Sequence, residues 1–531
     1  LSETASARLA SPVEIPLREL RSRRGGYDPK TASANFPLPW AGGAWGLGDI
    51  VEYQLGASLA VLDHVARNRE FWLRTALGVA RRAATRDDPF AFVVPAGQRD
   101  PLATARLLEI LHDGGVEVHR AREEFEAGSR TWPAGSHVVS MQQPASAFAR
   151  TLLERQRYPD LRPDPGAPPR RPYDVTAHTL PLLLGVQSEA VASPFTADLE
   201  PVGVPLVEPG SVRGEGPRLA LGHASGDLVA LGRLLAADVD VRWALEAFVD
   251  DGRRFEAGTL LVPASARDRV EPLALELGVS ARGVRARPRA LRLRSPRVGL
   301  YRPWVPSMDE GWTRYVFERE MGVAYRSLHD REVRGGRLRD RFDAIVLPDV
   351  EATVLLNGHA PGSMPEEYTG GLGSKGVSAL RDFVEDGGTL VALDSATALV
   401  ISQMDLPVRN VLDGVDPETF YCPGSILRVR TDPAHPLAHG LPEALPVWFQ
   451  SSPAFEVDTG TVVAHYTEDE PLLSGWLLGA ERLHGRAALV EVPLGKGKVV
   501  LFGFRPQYRA QSRVTYTALL NAIYLSAARD E

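Results

Sequence analysis

Apolar positions recur at helical spacing from Asp49 onward. Ile50, Tyr53, Leu55, Leu59, Leu62 and Val65 predict a helix that Asp49 N-caps and that runs on through Phe71, Leu77 and Val79 to about Ala84. Before it, residues 1–45 are rich in Pro, Gly and aromatics and end in Phe36-Pro37-Leu38-Pro39-Trp40-Ala41-Gly42-Gly43-Ala44-Trp45. That stretch suits no regular element and reads as a loop packing rings over a neighbouring surface.

Two later stretches repeat one pattern. The first runs from an apolar strand at Phe90–Pro95, through a helix carrying Ala105-Arg106-Leu107-Leu108, to Val116-Glu117-Val118. It closes on a turn at Ala134-Gly135 feeding His137-Val138-Val139. The second runs from Arg218–Gly222, through Gly232-Arg233-Leu234-Leu235, to Val239-Asp240-Val241. It closes on Ala257-Gly258 feeding Leu260-Leu261-Val262. Strand–helix–strand alternation implies parallel sheets with right-handed crossovers, so the repeat predicts two related α/β units. The Pro-rich span 159–172 reads as an extended linker between them. From Ser295 a third pattern starts: strands at Arg297–Tyr301, Asp343–Leu347, Thr389–Leu393 and Lys498–Phe502. Helices fall around Trp312–Glu320, Lys375–Glu385 and, amphipathic, Ser512–Ala527. This is a doubly wound, flavodoxin-like layout, with residues 403–495 as insertions bearing short strands. The fold class is therefore multidomain α/β.

Composition narrows the function classes. The chain has 531 residues, 44% apolar and 24% charged, enough for several cored domains. Lys+Arg 60 against Asp+Glu 67 gives a net charge of -7, which does not favour a nucleic-acid partner. Arg282–Arg297, the one basic stretch, flanks Pro288 and Pro296 and reads as a solvated linker. The single Cys422 excludes an intrachain disulfide and a cysteine-based zinc knuckle. No apolar run is long enough to span a bilayer. The first residues, Leu1-Ser2-Glu3-Thr4-Ala5-Ser6, read as the end of a buried strand delivering a carboxylate into a cleft, as expected of the back portion of a longer protein.

Several phrases of the chain resemble bacterial zinc carboxypeptidase-like proteins of the carboxypeptidase A type. They are Leu1–Pro12, Phe36–Trp45, Asp49-Ile50-Val51-Glu52-Tyr53-Gln54-Leu55 and Arg171-Pro172-Tyr173-Asp174-Val175-Thr176. The resemblance implies a carboxypeptidase tail over 1–85, two α/β units over 86–190 and 191–294, and a class I glutamine amidotransferase-like domain over 295–531. It makes Glu3 the catalytic base beside a zinc-bound water, with zinc as Lewis acid. The zinc ligands of that family precede the glutamate, so the intact protein would hold Zn2+ and this chain none. A peptide or peptidoglycan-like substrate and a secreted or periplasmic setting follow from the same resemblance. Two His-x-x-Glu matches, His329/Glu332 and His465/Glu468, fall after Glu3 and read as chance.

A working amidotransferase needs a Cys on a sharp strand-to-helix turn and a His oriented by a carboxylate. The corresponding turn, Leu393-Asp394-Ser395-Ala396, offers Asp394 or Ser395 and no thiol. Phe504-Arg505-Pro506-Gln507 stands where Phe-His-Pro-Glu is expected, and arginine stays protonated and cannot act as a base. Asp394, Ser395, Arg505 and Gln507 thus form a degenerate site without glutaminase activity, with Arg505 and Arg509 available to an anion. Ser395 also lacks the flanking glycines of a hydrolase elbow. Set against a carboxypeptidase is a non-enzymatic module that holds a glycan or a protein, for which Trp40, Trp45, Trp304 and Trp312 are candidate contact rings.

Overall fold

The computed structural model describes residues 11–21, 28–34, 36–203 and 207–530. The chain divides into two compact units, Leu1–Arg82 and Ala83–Glu531. In the first, strand Val13–Ile15 pairs antiparallel with Gly43–Trp45. Helices Leu47–Arg67 and Arg69–Ala83 follow. The single predicted helix is thus two. Asn68 donates its side-chain amide to the His64 carbonyl at 2.9 Å, and this local bond competes with helix propagation. Asp49 sits in the first turn rather than at the cap, accepting the Gly46 N–H at 2.7 Å. Leu59, Leu62 and Phe71 are each more than half exposed.

Among the described residues the second unit holds three large sheets and two two-stranded hairpins. In the first lie β1 (Ala91–Val94), β2 (His119–Ala121), β3 (His137–Ser140), β4 (Glu189–Val191) and β5 (Leu199–Pro201), ordered β4-β1-β3-β2-β5. The next has β6 (Arg218–Leu221), β7 (Arg242–Ala244), β8 (Leu260–Pro263), β9 (Ala281–Val284) and β10 (Ala290–Arg292), ordered β9-β6-β8-β7-β10, with Val212–Arg213 outside β9. The two orders match strand for strand. They are not parallel sheets, however. Helix α1 (Pro101–Asp113) carries β1 into β2, and helix α2 (Ser225–Ala236) carries β6 into β7, so each pair points one way. A small hairpin then turns the chain back, and β3 and β8 insert antiparallel between those pairs. The expected parallel order fails because the inserted strand, not the helical crossover, decides the neighbours.

The Pro-rich span does not separate the units, since β4 and β5 of the first sheet come after it. Most of it is exposed and only its ends are held: Tyr158, just before it, donates its N–H to the Gly475 carbonyl at 3.1 Å and stacks on Trp476, and Pro172 at its end is buried. The Arg-rich stretch is no solvated linker either. It contains β9 and β10, and its Arg292 and Arg297 pair with Asp240 and Asp343.

The third sheet contains β11 (Val298–Tyr301), β12 (Tyr325–Leu328), β13 (Ala344–Leu347), β14 (Thr389–Leu393) and β16 (Gly497–Phe502), all parallel, in the order β12-β11-β13-β14-β16. Every residue of β11, β13 and β14 is buried, as strands covered on both faces require. Beyond β16 the sheet continues antiparallel through β15 (Ala487–Leu494), Thr461–Tyr466, Pro423–Thr431 and Ala444–Gln450. These strands of six to nine residues extend the sheet. They are not the insertions with short strands that the sequence suggests.

The last helix, Arg513–Leu525, is buried from Arg513 through Tyr524 rather than amphipathic. Two of its buried polar residues, Arg513 and Asn521, are satisfied by other regions of the unit, whereas the Tyr516 hydroxyl has no partner among the described residues. Arg513 donates to Ser225 Oγ at 2.9 Å and pairs with Glu320. Asn521 meets His223 Nε2 at 2.9 Å and donates to the Leu437 and His439 carbonyls at 3.1 and 2.9 Å. A side chain buried with its hydrogen bonds made costs little.

Candidate functional site

In an open doubly wound sheet, ligands bind outside the carboxyl ends of the strands, where the strand order reverses. Here the chain leaves β11 for β12 on one side and returns to β13 on the other. Asp309 follows β11, in the first turn of helix α3 (Met308–Tyr315), and Asp349 follows β13 by two residues. Asp394 ends β14, and Arg505 lies just past β16. Four successive strand ends therefore deliver three carboxylates and one guanidinium to one edge of the sheet.

Asp394 occupies the strand-to-helix turn with φ of 49°, a left-handed conformation that costs a non-glycine residue energy. The sharp turn survives without a nucleophile. Asp394 is buried and accepts the Ser452 hydroxyl. Burial, and then the nearby Asp349 carboxylate, push its pKa well up, while Arg505 pulls it down. Ser395 donates its backbone N–H to Asp349 Oδ1 at 3.1 Å. Among the described residues its hydroxyl has only Asp394 as a side-chain partner, at 3.5 Å. No histidine is there to take its proton.

Arg505 ties the group together. Its Nε lies 2.6 Å from Asp349 Oδ2, off the N–H direction, so the contact is an ion pair rather than a hydrogen bond. Its Nη1 lies 3.6 Å from Asp309 Oδ2 and donates to Gln450 Oε1 at 3.3 Å, and Asp394 Oδ2 stands 4.0 Å from Nε. Burial lifts the Asp309 pKa to about 6 against the pull of Arg505. Gln507 is fully buried and donates to Thr313 Oγ1 at 3.0 Å and to the Asp309 carbonyl at 3.4 Å. It positions α3 and hence Asp309. Of the four residues singled out in the sequence, Asp394 and Arg505 meet directly, Ser395 borders them through its backbone, and Gln507 braces them from behind.

Two expectations for arginine are corrected. Arg505 is occupied by carboxylates, and Arg509 makes a two-pronged pair with Asp174 at 2.6 and 2.8 Å. Neither is available to an anion. Cys422 is buried, and burial pushes its thiol up to about 12. Glu332 accepts the His329 N–H at 3.3 Å in a helix-capping arrangement, and His465 lies on a strand opposite Arg430. Glu3 lies outside the described residues. Among those residues no group of three or more His, Cys, Asp or Glu side chains is arranged to hold a metal ion. No helix is long and apolar enough to cross a membrane, again among the described residues.

Sequence reasoning missed Asp309 and Asp349. The signal was present: each lies just beyond an apolar strand, at the edge where this topology places its ligands. Of the candidate contact rings, Trp304 was named in the sequence, but its partners were not. Trp304, on the β11–α3 loop, stacks on His329 at 3.9 Å and meets Tyr368 edge-on at 4.8 Å.

No protein-family model matches the chain, and no curated protein matches it. Among solved structures it is similar to a cytoplasmic protein from Salmonella typhimurium, with a TM-score of 0.29 and 14% identity over 44% of this chain and 99% of that one. It is similar to a β-galactosidase from Bacillus circulans sp. alkalophilus, with 0.27 and 11% over 43% of this chain and 31% of that one. A ThuA-like protein from Bacteroides uniformis gives 0.25 and 10% over 42% and 89%. The chain thus spans less than a third of that β-galactosidase. The expected place among zinc carboxypeptidases is corrected: these similarities are to glycosidases and ThuA-like or cytoplasmic proteins, and the reading as a zinc-dependent peptidase acting in proteolysis falls with it.

Proposed function

We propose that the doubly wound domain is a glycan-binding module without hydrolytic activity of its own. What supports this reading is the pairing of two features at the carboxyl edge of one sheet. Asp309, Asp349 and Arg505 present acceptors and donors held rigid by their mutual ion pairs. Trp304 presents a half-buried indole braced by His329. Hydroxyl-rich ligands need fixed polar groups of both kinds beside an apolar ring. A nucleophile with a base beside it is not part of this arrangement, because Ser395 faces a carboxyl group and Arg505 holds its proton.

The test is a glycan array probed with the full chain, followed by calorimetry on the best oligosaccharide with Trp304→Ala and Asp349→Asn variants. Saturable binding that each variant weakens by about tenfold or more supports the module. Binding that both variants leave unchanged, or an array without any bound glycan, refutes it.

A further inference from the structure

A second polar site lies away from the carboxylate edge. A cavity of about 740 Å³, within the ordinary range for small-molecule sites, opens beside the turn from β6 into α2. Five arginines line it: Arg99, Arg213, Arg253, Arg254 and Arg282. Two of them are compensated. Arg254 pairs with Glu256 at 2.9 Å, and Arg282 lies 3.8 Å from Asp251. Among the described residues Arg99, Arg213 and Arg253 form no ion pair; Arg99 donates to the Gly440 carbonyl and is attracted by the neighbouring Asp100, and Arg253 lies over the Phe255 ring. Guanidinium groups without an ion pair that line the same cavity make it a favourable place for an anion.

The acidic residues of the wall do not cancel this charge. Glu256 is already taken by Arg254. Asp227 is buried and accepts the Ala224 N–H at 2.8 Å, and burial pushes its pKa up to about 7. The start of α2 is not the attraction, since Asp227 and Asp100 occupy its first N–H groups.

The wall also holds an orphaned donor. Trp243 donates its indole N–H to His439 Nδ1 at 2.8 Å, which leaves the ring proton on Nε2. His439 is 2% exposed, lines the cavity, and its Nε2 has no partner among the described residues. Burial, with His223 and His435 nearby, holds this ring near a pKa of about 4, so it stays neutral at pH 7. A buried donor without an acceptor is uncommon in folded proteins and calls for a reason.

We propose that this cavity binds a phosphorylated small molecule, with the phosphoryl oxygens shared among Arg99, Arg213 and Arg253. The charge match favours phosphoryl groups over a lone carboxylate. A phosphate ester brings up to two negative charges and three acceptor oxygens, which suits several planar donor forks at once. The site is separate from the carboxylate edge and does not rest on the glycan reading.

The experiment is calorimetric titration of the full chain with pyrophosphate. A double variant, Arg213→Ala with Arg253→Ala, is compared with Arg337→Ala, an exposed arginine outside the cavity that pairs with its near neighbour Asp340. Both double-variant sites are at exposed side chains, and far-UV circular dichroism confirms that the fold persists. The expected result is saturable one-site binding, weakened about a hundredfold by the double variant and unchanged by Arg337→Ala. Three results overturn the site: no saturable binding at millimolar pyrophosphate, equal affinity in the double variant, or an equal loss in the Arg337 variant.

Discussion

Asp309→Asn isolates the energetic character of the carboxylate edge. The Asp309 side chain is only 14% exposed, and burial outweighs the attraction of Arg505, so its pKa stands at about 6. An unfolded aspartate titrates near 4 (about 3.9), and each tenfold change in proton affinity is worth about 1.4 kcal/mol, so the ionised form costs the folded chain about 3 kcal/mol. Below about pH 4 the carboxyl is protonated in both states and the penalty is absent. Between about pH 4 and pH 6 the folded chain keeps a proton that the unfolded chain has released, and stability falls as pH rises. Above about pH 6 the penalty is complete. Asparagine keeps the shape and cannot ionise. The variant is therefore expected to match the parent near pH 4 and to exceed it by about 3 kcal/mol near pH 7. Urea unfolding followed by circular dichroism at several pH values reads the difference. A variant less stable than the parent at neutral pH, or a gap that does not change with pH, refutes the reasoning, because it would make ionised Asp309 a net stabiliser.

Two further outcomes follow from buried groups elsewhere. Asn521→Leu removes three hydrogen bonds at the centre of the last helix and strands the His223 ring and two carbonyls, so urea unfolding should register a loss of about 4 kcal/mol; a loss below about 1 kcal/mol would mean those partners find others. Cys422, with its thiol pushed up to about 12 and 2% exposed, should stay unlabelled by an aromatic disulfide reagent near pH 8 and react stoichiometrically in urea; full labelling of the native chain would contradict its burial.

How much of this was legible in the sequence differs from element to element. Four parallel strands of the third sheet were legible because they are short, largely apolar and closed by turns, as Ala344–Leu347 and Thr389–Leu393 are; Tyr325–Leu328, which carries Arg326 and Ser327 at the sheet's edge, was not. The order of the first two sheets was not, because a hairpin of a few residues decides whether β3 and β8 insert between their neighbours, and local pattern carries no trace of it. The last helix misled for a different reason. Its Arg513, Thr517 and Asn521 look like a solvent face until their partners in other segments are known. At the site, Asp394 and Arg505 were found because they replace a nucleophile and a base in an expected frame. Asp309 and Asp349 replace nothing, and only the strand order gathers them.

The most direct test of the glycan reading is a crystal structure of the full chain with the oligosaccharide selected on the array. Sugar density is expected at the ends of β11 and β13, with hydroxyls on Asp309 or Asp349 and a ring against Trp304. Sugar bound elsewhere, with that edge empty, would contradict it.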